Sequence, residues 1–305
     1  MKRLAGTALV AAALLALPLA TQSDFVLTIL VFAFLQGMLA VSFNLVFGYA
    51  GQLSMFHAAA FGIAAYATHL FGKHLGVGYW GGVLLAAALV AAISVVVGAI
   101  CFRFRLREFY FAVVTLAFSE MARLTVLNWN SMTNGSLGIN LQERPIESTL
   151  AWYYVALGAL AITLAVCWRL VHSWMGRAFV AIRLNDELGD TLGINVFRYK
   201  LVAFTAGSIM AAFAGSLYAY FLGSLEPGFL SIDTSLGIIA MVLLGGRRAV
   251  AAPVLGALVL TALPHLIHFS AEIRSIVYGA ILIFSILVMP QGIYGAAAQL
   301  IRRHA

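Results

Sequence analysis

The chain alternates long apolar runs with short polar breaks. The runs lie at about 4–20, 25–47, 54–71, 81–102, 109–127, 151–170, 201–222, 232–246, 249–267 and 275–293. A helix needs roughly 17–25 apolar residues to cross a hydrocarbon layer about 30 Å thick. The pattern therefore predicts an all-α polytopic membrane protein with about ten transmembrane helices, read as a single transmembrane domain over 1–305. Residues 1–22 carry Lys2 and Arg3 ahead of an apolar stretch to Ala20, which fits a first span or a secretory signal segment. Between the second and third runs, Tyr49-Ala-Gly-Gln-Leu-Ser54 is polar and contains glycine, as a short turn or a broken helix would be.

Composition changes the picture only by naming the solvent. Hydrophobic residues make up 63% of the 305, charged residues 10%, and mean hydropathy is +1.00, which is more apolar surface than one soluble core can hide. The net charge of +7 is spread singly or in small groups between apolar runs, so it reads as membrane topology and not as a nucleic-acid face. With the N-terminus inside, fourteen of the eighteen Lys and Arg residues fall on the cytoplasmic side, and Lys73, Arg123, Arg144 and Arg274 do not. This places both termini in the cytoplasm, 128–150 outside and 171–200 inside. Cys101 and Cys167 form no CxxC pair and stand at no metal-ligand spacing.

The inner segment 171–200 carries Phe179, Ile182, Leu188 and Leu192 among Arg183, Asp186, Glu187 and Asp190, which predicts one short amphipathic helix ended by Gly193. Such a helix can lie on the membrane or dock in a groove of a partner. Glu187-Leu188-Gly189, three residues and Gly193 resemble the E-A-A-x-x-x-G pattern of bacterial ABC importer permeases, whose cytoplasmic helix sits in a cleft of the ATPase. On that resemblance Arg177, Arg183, Glu187, Leu188, Leu192 and Gly193 are the coupling candidates.

Four further stretches, in order, resemble the branched-chain amino-acid ABC permease family, and its M-type subunits most. They are Asn44-Leu-Val-Phe-Gly-Tyr-Ala-Gly-Gln-Leu-Ser54, His57-Ala-Ala-Ala-Phe-Gly-Ile-Ala-Ala-Tyr66, Tyr110-Phe-Ala-Val-Val-Thr-Leu-Ala-Phe118, and Met175-Gly-Arg-Ala178 running through Arg183 to Leu192-Gly-Ile-Asn-Val-Phe-Arg-Tyr-Lys200. The resemblance covers roughly residues 35–290. It implies a bacterial inner-membrane importer with a second, H-type permease, two cytoplasmic ATPases and a periplasmic binding protein. The chain has no GxxxxGK[ST] loop, so ATP and magnesium are expected on the ATPase chains and no cofactor on this one.

Inside the membrane, Asn44, Gln52, Ser54 and His57 cluster at the break after the second run, where they either cap free backbone or line a cavity. Glu120 and Arg123 lie one turn apart on the fifth run, with Thr115 and Ser119 expected on the same side, as a structural pair or as a polar wall of the pathway. Ala203, Gly207, Ala211, Gly215 and Ala219 recur every four residues, a small-residue face for packing within the chain or at a dimer seam. A permease for urea, short amides or another small polar solute shares these features. An ion-coupled secondary transporter would need more buried titratable groups than Glu120, and a membrane enzyme would need a Ser/His/Asp, HExxH or paired-carboxylate set, none of which converges at one depth along the sequence.

The charge bias sets a topology that labelling can read. In intact cells, a membrane-impermeant thiol reagent should modify Asn134→Cys but reach Arg105→Cys and Arg183→Cys only after permeabilisation. Reaction at 105 or 183 without permeabilisation would invert the topology.

Overall fold

The computed structural model describes residues 12–18, 23–106, 108–141, 145–247, 249–267 and single or few positions at 276, 279–280, 283 and 292–295. The expected runs at 4–20 and 275–293 lie largely outside them. The other eight expected runs each coincide with a helix: α1 (Asp24–Asn44), α2 (Phe56–Leu75), α3 (Tyr79–Arg103), α4 (Glu108–Asn128), α5 (Thr149–His172), α8 (Val196–Leu222), α9 (Ile232–Gly245) and α10 (Ala252–Ile267). Two shorter helices, α6 (Trp174–Leu184) and α7 (Asp186–Thr191), stand between α5 and α8. Among the described residues, five helices are long and apolar enough to cross a membrane: α1 with the turn that follows it, α3, α4, α5 and α8. α9 and α10 are apolar but shorter.

Local chemistry explains where the helices stop. Asn195 caps α8 by accepting from the Arg198 amide at 3.0 Å, and Ser231 caps α9 by accepting from Thr234 at 3.2 Å. Gly223, at φ 81°, ends α8 in the left-handed conformation glycine adopts without strain. Segment 128–150 is not a plain loop. It contains a one-turn helix (Asn130–Thr133) and strand β1 (Ile139–Asn140), which pairs antiparallel with β2 (Ser224–Leu225) just after α8.

α1 and α8 form the centre of the bundle. α8 packs against α2, α3 and α1, while α1 also packs against α10 and α5. Because lipid tails are as apolar as leucine, such packing draws on close van der Waals contact and small residues, with little hydrophobic driving force. The four-residue stripe of α8 supplies that contact within the chain. A Cβ on Gly215 would lie 2.0 Å from the Phe61 carbonyl oxygen of α2, and one on Gly207 would lie 2.7 Å from Val46 and 3.0 Å from His57. Ala211 is fully buried. All five residues of this face are buried within the chain.

Gly215→Ala forces two backbones apart and should destabilise the chain by about 1–3 kcal/mol, whereas Gly158→Ala in α5, with open space at its Cβ, should not. Thermal unfolding in detergent compares them, and equal melting temperatures would refute the tight α2–α8 contact.

Candidate functional site

The break that the sequence places after the second run is real and begins as a widened turn. α1 runs into a π-type turn at Leu45–Tyr49, where the Ala50 amide reaches back five residues to the Leu45 carbonyl at 3.2 Å. Non-helical residues follow to Ser54, with Gly51 at φ 72°. The expected polar cluster surrounds this break, and all four members, Asn44, Gln52, Ser54 and His57, are buried. Asn44 Nδ2 donates to the Ala249 carbonyl at 3.3 Å, and Ser54 Oγ accepts from the Phe56 amide at 3.2 Å, closing the entry to α2. Gly48 is needed for the approach, since a Cβ there would lie 2.1 Å from Asn44 Oδ1 and 3.1 Å from the Arg247 carbonyl oxygen. Its own carbonyl accepts from Arg183 of α6. Asn44 Oδ1, Gln52 Oε1 and both ring nitrogens of His57 have no partner within hydrogen-bond geometry, and the ring edge of His57 meets Phe43 at 5.3 Å.

Thr115 and Ser119 do not share a side with Glu120. Both are buried and tie α4 inward: Thr115 Oγ1 accepts from the Met55 amide at 3.1 Å, and Ser119 Oγ donates to the Leu230 carbonyl at 3.3 Å. Glu120 and Arg123 point away from the bundle, their side chains 32% and 29% exposed. Arg123 Nε donates to both carboxylate oxygens at 3.0 and 2.9 Å. The reason is angular. At 3.6 residues per turn Glu120 lies roughly 140° around the helix from Thr115, and Arg123, one turn on, reaches back to it. Glu120 also edges an open hollow of about 590 Å³ with Ala117, Met121, Leu124, Thr125 and Asn128. Glu120 stands about 18 Å along the axis from Glu108 and about 12 Å from Asn128, well inside the length a hydrocarbon layer covers.

The segment between α5 and α8 is two helices, not the single amphipathic one expected. Asn185 breaks it with an extended backbone (φ −163°, ψ 119°), and its side chain caps α7 by accepting from the Glu187 and Leu188 amides at 2.9 and 3.3 Å. The apolar residues divide accordingly. Phe179 and Ile182 of α6 are buried in the body, while Leu188 and Leu192 are 56% and 67% exposed. Glu187 is exposed, Gly193 has φ 76°, and Arg177 covers the exposed Trp174 ring at 5.1 Å. Two contacts that the pattern did not announce fix α7: Asp186 pairs with Lys200 of α8, and Asp190 pairs with Arg105 at 3.2 Å. Spacing shows only that the two acidic residues, four apart, share one side of a helix, and not which cations they meet.

Polar groups here gather at a helix break, on an outward helix face and on a short helix between two apolar ones. That distribution fits a membrane transport component, and among the described residues no three His, Cys, Asp or Glu side chains come together as a metal site would need. The chain belongs to the family of permease components of branched-chain amino acid transport systems, whose sequence model matches residues 25–286. It is 28% identical over 285 residues to the high-affinity branched-chain amino acid transport system permease protein LivM of Escherichia coli (strain K12), covering 84% of this chain and 67% of that one. It is 25% identical over 287 residues to LivH of the same organism, covering 85% and 90%. Among solved structures, the complex PsaBC from Streptococcus pneumoniae with a Fab aligns over 92% of this chain and 96% of that chain, with a TM-score of 0.46 and 12% identity.

The cap on α7 is open to a direct check. Asn185→Ala removes the acceptor of two amides at a cost of about 1 kcal/mol, so hydrogen exchange at Glu187 and Leu188 should accelerate about fivefold, while Asn185→Asp should keep protection. Unchanged exchange in the alanine variant would show that α7 does not depend on this cap.

Proposed function

We propose that this chain is one membrane half of an ATP-driven importer for branched-chain amino acids, working with a second, H-type permease, two cytoplasmic ATPases and a periplasmic binding protein. On this reading it crosses the bacterial inner membrane about ten times with both termini in the cytoplasm. ATP and magnesium bind the ATPases, and this chain makes and breaks no covalent bond. Membership of the permease family supports the class, and the likeness to both LivM and LivH supports a paired permease.

The observation that carries the path of transport is the Glu120–Arg123 pair on the outward face of α4. Charges at hydrocarbon depth are costly against lipid and need protein or water. The exposed faces of α3 and α5 are apolar at the same depth, with Leu84, Leu89, Val95 and Val96 on one and Tyr154, Ile162 and Val166 on the other. The α4 face is therefore the one that turns toward the second permease, and the passage for a zwitterionic amino acid runs along it. Asn44, Gln52, Ser54, His57, Thr115 and Ser119 support that wall from behind, holding the helix break and fixing the rotation of α4.

Coupling falls to α6 and α7. Leu188 and Leu192, one turn apart and exposed beside Glu187, offer an apolar ridge to an ATPase groove, with Arg177 and Arg183 flanking and Gly193 turning the chain back toward α8. Closure of the ATPases then moves α7 and switches the permease between outward-open and inward-open states.

Uptake in proteoliposomes containing the reconstituted complex tests the path. Glu120→Gln should lower cargo uptake at least tenfold while all subunits still co-purify, because assembly does not need that carboxylate charged. Full uptake by the variant would take the path off this face, and loss of assembly would make the pair structural.

A further inference from the structure

The short helix α7 is attached to the membrane body in an unusual way. Of its six residues only Gly189 is buried, so apolar packing does not hold it. It overhangs a cavity of about 610 Å³ whose lining is mixed, with Phe102, Leu106 and Phe197 alongside both ion pairs, Asp186 with Lys200 and Asp190 with Arg105. Its inward side bears Asp186 and Asp190, four residues apart, and each meets a cation from a different part of the bundle. Lys200, on the first turns of α8, is 6% exposed and donates to the Asp186 carboxylate. Arg105, in the turn from α3 to α4, reaches Asp190 at 3.2 Å from a left-handed backbone of φ 49°.

We propose that Lys200 and Arg105 are positioning residues of the transport cycle, two charged struts that carry movement of α7 into the bundle. The inference rests on the reading of α7 as the ATPase-docking helix. A helix over a cavity with apolar contacts alone would tilt without moving its neighbours. Anchored at both acidic residues, it must take α8 and the α3–α4 turn with it. The two struts differ in stiffness. The Arg105 pair is largely in solvent and contributes little on its own. Lys200 is buried, so removing its one carboxylate partner would strand a charge away from water, and the pair is costly to separate. The main stroke therefore enters through Lys200 into α8, which packs on α1, α2 and α3, and Arg105 steers the start of α4, the helix that bears Glu120.

The test uses the complete complex with both permeases and ATPases, reconstituted with binding protein and leucine. Three readouts are taken: ATPase subunits retained, hydrolysis with and without loaded binding protein, and leucine moved per ATP. Lys200→Met, the milder change because it leaves only the half-exposed Asp186 carboxylate unpaired, and Asp186→Asn should lose stimulation and uptake. Lys200→Met should retain the ATPases and basal hydrolysis, and Lys200→Arg should restore both stimulation and uptake. Arg105→Gln should lower leucine per ATP with smaller loss of stimulation. Wild-type stimulation and uptake in both Lys200→Met and Asp186→Asn would overturn the proposal, and so would loss of ATPase subunits from Lys200→Met, since the residues would then act in docking. If the wild-type chain retains no ATPases, the docking reading itself fails, and the struts fall with it.

Discussion

In the hydrocarbon of a bilayer no water reaches a backbone amide or a charge, so every polar group must be met by protein or face an aqueous passage. That constraint organises this chain. Most of the apolar length is helix, which satisfies its own backbone. The interruption from Leu45 to Ser54 is tied to three other parts of the chain: Arg183 meets the Gly48 carbonyl, Asn44 meets Ala249, and Thr115 meets Met55 at its far end. The small-residue face of α8 exists for the same reason. It brings α2 and α1 close enough to wall off the break.

The break also shows how one feature serves two links of the chain from sequence to function. Arg183 lies on α6, in the segment expected to couple to an ATPase, yet it donates to the π-type turn at the centre of the bundle. A carbonyl freed from the ordinary helical ladder becomes the acceptor by which a peripheral segment grips the core. The buried ring of His57, against Phe43 and beside Gly207, completes the packing there.

Much of this was legible in the sequence. Run length gave the helices, because crossing a membrane fixes how many apolar residues each needs, and Tyr49 to Ser54 announced the break through its polarity and glycine. Family membership was readable from four motifs in order. Angular placement was less accessible. Thr115, Ser119, Glu120 and Arg123 look adjacent along the chain, but five residues are enough to turn Glu120 away from Thr115, so two face the core and two face outward. The split of 171–200 into α6 and α7 was missed because Leu184 and Asp186 flank Asn185 on a continuous amphipathic pattern, and the pattern does not register that the Asn185 side chain prefers to cap the next turn. The pairing of Asp186 with Lys200 crosses fourteen residues and a change of helix, which no local spacing encodes.

The central claim is that cargo crosses only when ATPases drive this permease. It is tested most directly by measuring labelled leucine uptake into proteoliposomes that hold the complex or this chain alone, with enclosed ATP or with an imposed proton or sodium gradient. The account predicts uptake only by the complete complex with ATP and loaded binding protein, and none on either gradient. Gradient-driven accumulation by this chain alone would contradict it.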